Sequence, residues 1–117
     1  MSDTLKLGDS EIFMSYGLLT ELVRLVPDLD NIPTMVLNSE VRDELLTKLL
    51  MKRDARGNPV GEAPSLESLT LEQSEVLIDW AQTHILDFFL RRATKAVAQT
   101  KRIQSQLEAY SLTGSAG

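Results

Sequence analysis

The sequence predicts an all-α fold: one small helical domain in which two shorter amphipathic helices precede a long C-terminal helix that extends as an arm. Three observations carry this expectation. No Gly or Pro interrupts the stretch from Thr70 to Tyr110. Apolar residues recur at three- and four-residue spacing between Ile12 and Val26, and again between Val41 and Leu50. Gly and Pro concentrate in the connection that follows, Asp54 to Pro64. A single domain over residues 1–117 follows, with a helical body over about 9–90, an arm over about 91–110 and a disordered tail over 111–117.

In chain order, residues 1–8 form a short polar lead-in around Leu5 and Leu7. Gly8-Asp9-Ser10 then supplies helix-starting chemistry, because an Asp9 or Ser10 oxygen can accept from a free N–H of the first turn and Glu11 suits the dipole there. The expected helix runs to Val26, with Ile12, Phe13, Tyr16, Leu19, Val23 and Val26 on one face and Leu18, Leu22 and Leu25 widening it. Pro27 ends it, lacking an N–H donor and disfavouring helical geometry in the residue before it. Residues 27–38 connect, carrying Ile32, Met35, Val36 and Leu37 toward the core, with a short strand possible. Asn38 or Ser39 caps a second helix to about Lys52, its apolar face being Val41, Leu45, Leu46, Leu49 and Leu50. The segment from Asp54 to Pro64 is long for a helix connection. It is expected to be a mobile surface loop, or one that a partner orders.

The third helix opens with Thr70-Leu71-Glu72-Gln73. The Thr70 hydroxyl can accept from the N–H of Gln73 while the Gln73 side chain reaches back to the N–H of Thr70, a capping box. Unbroken to Tyr110, the helix would be roughly 60 Å long at about 1.5 Å per residue, more than a compact chain of this size spans. Trp80, Ile85, Leu86, Phe88, Phe89 and Leu90 make its first half core-like. Its second half thins to Ala93, Ala96, Val97, Ile103, Leu107 and Tyr110.

Composition bounds function by exclusion. The 117 residues are 43% hydrophobic with three Phe, two Tyr and one Trp, which suits one modest aliphatic core. Apolar runs are too short for a membrane span, and Asp3, Asp9 and Glu11 replace a signal peptide's basic and apolar regions, so a soluble intracellular protein is expected. Without cysteine there is no disulfide, thiol nucleophile or cysteine zinc site. A net charge of −5 disfavours non-specific nucleic-acid binding by the molecule as a whole.

Catalytic chemistry is thin. The one histidine, His84, lies in the most apolar part of the long helix, with Asp87 three residues on and Glu75 and Asp79 one to two turns before. This spacing matches neither Glu-x-x-His nor His-Glu-x-x-His, so a structural or surface histidine is expected and no metal ligand is assigned. No nucleophile elbow and no phosphate-cradling glycine loop occurs. No enzyme activity, catalytic residue or cofactor is expected.

Charge is polarised along the long helix. Six acids and no bases lie from Gly57 to Leu90, whereas Arg91, Arg92, Lys95, Lys101 and Arg102 make five bases and no acids from Arg91 to Arg102. This order suits the macrodipole, and Asp87 to Arg91 is an i,i+4 pair. The basic run could also dock on an acidic partner. Binding of a single nucleic-acid strand is disfavoured, since no aromatic residue interleaves with the bases. Phe89, Ala93, Ala96, Thr100, Ile103, Leu107 and Tyr110 are spaced 4, 3, 4, 3, 4, 3, a heptad seam that calls for another helix. That helix could belong to a partner or to the chain itself. Together with Arg91, Arg92 and Lys95, the seam residues are the candidate partner-binding set.

Three blocks, EIFMSYGLLTELVRLV (11–26), LNSEVRDELLTKLLMKRDARGNP (37–59) and LEQSEVLIDWAQTHILDFFLRR (71–92), resemble in order and spacing the small tail assembly chaperones of long-tailed bacteriophages. The resemblance covers roughly residues 10–95 and is one of texture rather than of a catalytic motif. It implies a mostly helical, self-associating protein of the host cell cytoplasm. Such a protein coats the tape-measure protein, keeps it soluble while tail-tube subunits polymerise, and is absent from the finished particle. It also implies that a frameshifted longer form can exist. A structural head–tail joining protein of the virion and a helical nucleic-acid-binding regulator are the alternative readings.

Overall fold

A computed structural model describes residues 2–115, with side chains through residue 110. The chain divides into two compact units, Met1–Leu86 and Asp87–Gly117. The first contains a hairpin of strands β1 (Thr4–Leu7) and β2 (Ser10–Phe13), helices α1 (Tyr16–Val23) and α2 (Ser39–Leu50), and the beginning of α3 (Leu71–Ser115). Two single-turn 3₁₀ segments, Leu29–Asn31 and Met35–Leu37, lie in the connection between α1 and α2. No strand forms in that connection.

The two-stranded antiparallel sheet corrects the all-α expectation: the fold is mostly helical but not purely so. Gly8-Asp9 does not start a helix. It is the two-residue loop of a hairpin in which Leu7 faces Ser10 and Leu5 faces Ile12. Gly8 has φ +63° and no described non-glycine residue has positive φ, the type II′ pattern whose twist matches that of the flanking strands. Alternation on either side of the turn, Leu5 and Leu7 before it and Ile12 after it, outweighs the three-and-four spacing that begins at Ile12. An isolated hairpin is marginal in water, and this one is held at its open end. The Met14 N–H donates to the Asp3 carbonyl at 2.7 Å. The Ser2 carbonyl accepts from Trp80 Nε1 at 3.0 Å and from His84 Nε2 at 2.9 Å.

Helix α1 therefore starts later than expected, at Tyr16, with the Ser15 hydroxyl accepting from the N–H of Leu18 at 3.1 Å. The shift changes the buried face. Phe13 and Tyr16 are 60% and 71% exposed, while Met14, Leu18, Leu22 and Val26 are buried. After Val23 the chain tightens into i→i+3 bonds, Leu25 N–H to the Leu22 carbonyl and Val26 N–H to the Val23 carbonyl, which turn Val26 inward before Pro27. Helix α2 follows its sequence reading closely. Asn38 Oδ1 accepts from the N–H groups of Glu40 and Val41, and Leu45, Leu46 and Leu49 are buried. Leu77, Ala81 and Ile85 of α3 complete the core, and Gln82 Nε2 donates to the Ile32 carbonyl at 2.8 Å.

The first half of the connection after α2 is a hydrogen-bonded turn. Val60 N–H donates to the Lys52 carbonyl and Asp54 N–H to the Asn58 carbonyl, while Asp54 Oδ1 accepts from the N–H groups of Arg56 and Asn58. Beneath it Arg53, whose side chain is only 12% exposed, reaches Glu21 at 2.6 Å and the Gly57 carbonyl at 2.9 Å. Lys48 approaches the same Glu21 at 3.6 Å.

Candidate functional site

The long helix begins as its sequence dictates. Thr70 Oγ1 accepts from the N–H of Gln73 and Gln73 Oε1 accepts from the N–H of Thr70, both at 3.0 Å. From there α3 continues without interruption to Ser115. Of the tail expected over 111–117, the backbone of 111–115 belongs to this helix, and residues 116 and 117 lie outside the described residues.

His84 is 5% exposed, packs edge-to-face on Trp80 with ring centroids 5.0 Å apart, and shares the Ser2 carbonyl with it. Because a carbonyl only accepts, the His84 nitrogen facing it carries a proton. The histidine closes the hairpin onto α3, a buried structural role rather than a surface one. Asp87 is instead paired with Arg91 at 2.8 Å. Among the described residues no group of three or more His, Asp or Glu side chains could hold a metal ion.

In the second unit, every residue from Leu90 to Tyr110 is exposed. The seam residues occupy one helical stripe here, since steps of about 100° per residue return Phe89, Ala93, Ala96, Thr100, Ile103 and Leu107 to nearly the same direction. Phe89 is half-buried and meets Phe88 edge-to-face at 6.0 Å. Ile103, Leu107 and Tyr110 are 54%, 60% and 77% exposed. The Thr100 hydroxyl turns back to donate to the Ala96 carbonyl at 2.8 Å, so its methyl rather than its hydroxyl is left to the stripe. Leu90 and Val97, absent from the sequence-derived set, are about half exposed and flank the stripe on one side. Their signal was available as apolar residues one position beyond Phe89 and Ala96.

Two of the five bases are held along the helix itself: Arg91 by Asp87, and Arg92 with its guanidinium 4.9 Å from the Phe88 ring centre. Lys95, Lys101 and Arg102 form no ion pair among the described residues. By the same helical step Arg91, Lys95 and Arg102 lie on the face opposite the seam. The surface is thus amphipathic, apolar on one side and basic on the other.

No described helix is long and apolar enough to cross a membrane. No family model, curated protein or solved structure matches this chain.

Proposed function

We propose that the protein is a non-catalytic tail assembly chaperone of a long-tailed bacteriophage, acting in the host cytoplasm, that binds the tape-measure protein and keeps it soluble during tail-tube assembly. The single observation behind this reading is the uncovered apolar stripe of α3, with Ile103, Leu107 and Tyr110 all more than half exposed. Recognition of one helix by another uses anchors at i, i+3, i+4 and i+7, the spacing these residues have. Ala93, Ala96 and Thr100 let a partner backbone approach closely while burying little apolar area. The contact is therefore weak per residue, as a factor that must later leave its client requires. The three sequence blocks supply the phage context, and the same stripe could alternately hold a second copy or a longer frameshifted form.

Co-expression with a phage tape-measure protein, the client the proposal names, tests it. The client should stay soluble and co-purify with the wild type, and should precipitate when Ile103→Asp and Leu107→Asp are combined. A client equally soluble with wild type, double variant or no chaperone would count against it.

A further inference from the structure

A groove of about 520 Å³ lies within the first unit, between β2 and the segment that follows α2. Its hairpin wall is the whole of β2, with residues from both faces, together with Leu7 at the end of β1, so the groove follows the edge of β2 rather than one of its faces. The register identifies the groups on that edge. Leu7 and Ser10 close the two-residue loop as a hydrogen-bonded pair, so the next pair, Lys6 and Glu11, does not exchange backbone bonds. The N–H and C=O of Glu11, and the N–H of Phe13, therefore point outward. The Phe13 carbonyl is already taken by Ser15 N–H at 3.0 Å. Across the groove, the Lys52 carbonyl and Asp54 N–H are used by Val60 and Asn58, which turns the N–H and C=O of Arg53 to the other side. Neither has a backbone partner among the described residues.

We propose that this groove takes an extended acidic peptide from a partner protein, added along the outer edge of β2 as a third strand. Unpaired main-chain groups supply the ladder and alternate side chains supply selectivity in such an arrangement. Charge selects the acidic class. Lys52 and Arg56 are exposed in the lining and form no ion pair among the described residues. The Arg53 guanidinium is committed to Glu21, and the Asp54 carboxylate accepts from two backbone amides. Glu11 is the remaining carboxylate, and its cross-strand neighbour is Lys6. Asp54 keeps its negative charge on those neutral donors, so the lining sets three bases, Lys52, Arg53 and Arg56, against two acids, Glu11 and Asp54, and is positive by one charge although the chain carries −5. Phe13, 60% exposed, offers an apolar contact at the rim. This site belongs to the first unit and does not depend on the chaperone reading.

The test is an NMR titration of the isotope-labelled full chain with acetyl-Val-Asp-Val-Asp-Val-amide. The amides of Glu11, Phe13 and Arg53 should shift and exchange more slowly with solvent. Lys52→Glu combined with Arg56→Glu, both at exposed positions, should weaken binding about tenfold and transfer the preference to the peptide in which Lys replaces Asp. Absence of shifts at those three amides would overturn the proposal. So would affinity that the charge reversal leaves unchanged in a variant whose circular dichroism matches the wild type.

Discussion

Ser2, Trp80 and His84 show how single polar groups decide whether the hairpin stays closed. One carbonyl accepts from two ring N–H groups, so removing either donor still leaves it a partner. His84→Leu should cost about 1 kcal/mol by chemical denaturation, the net value of one hydrogen bond. Combined with Trp80→Phe the loss should exceed the sum of the two single changes, because the carbonyl is then unpartnered; simple additivity would contradict this. Gly57 is the second residue whose chemistry is fixed by its place. At φ +84° it sits where an added Cβ would lie 3.4 Å from Ser15 Oγ. Gly57→Ala should destabilise by about 1 kcal/mol or more, with the thermal midpoint as the readout. Neither partnership could be read from the sequence. Ser2 and His84 are 82 positions apart, and no local pattern announces a contact made by a main-chain carbonyl.

At the scale of elements, what was legible follows from where the determining interactions lie. The start of α3 was legible because the capping box is local: Thr70 and Gln73 satisfy each other within one turn. Thr70→Ala should cost about 1 kcal/mol, detectable as faster amide exchange in the first turn, and no change there would contradict the cap. Helix α2 was legible for the same reason, through Asn38 and the spacing of Leu45, Leu46 and Leu49. The hairpin was misread because residues 10–13 satisfy two periods at once, and only pairing with residues 4–7 separates them. That error moved Phe13 and Tyr16 into the expected core and left Met14 outside it. The hydrogen bonds of the turn after α2 were not legible, because Gly and Pro content reports the absence of a helix and not which groups pair. Asp54→Ala should open that turn, exposing the amides of Arg56 and Asn58 to exchange, at a cost of about 1–3 kcal/mol.

For the whole molecule, the buried core and the proposed contact surface fall on different residues. Leu22, Leu45 and Leu77 are fully buried, and truncating one of them to Ala should cost about 2–5 kcal/mol. The α3 stripe was legible as a heptad spacing, but its exposure was not, since the same spacing serves a core helix and a docking helix alike. Because Ile103 and Leu107 are more than half exposed, replacing them with Asp should change the denaturation midpoint little while removing client binding. The most direct measurement is hydrogen–deuterium exchange of the full chain with and without a tape-measure protein, the proposed client. The account predicts protection concentrated between Leu90 and Tyr110, with amides of the hairpin, α1 and α2 unchanged. Protection elsewhere with Leu90 to Tyr110 unaffected, or no protection at client concentrations that saturate the pull-down, would contradict it.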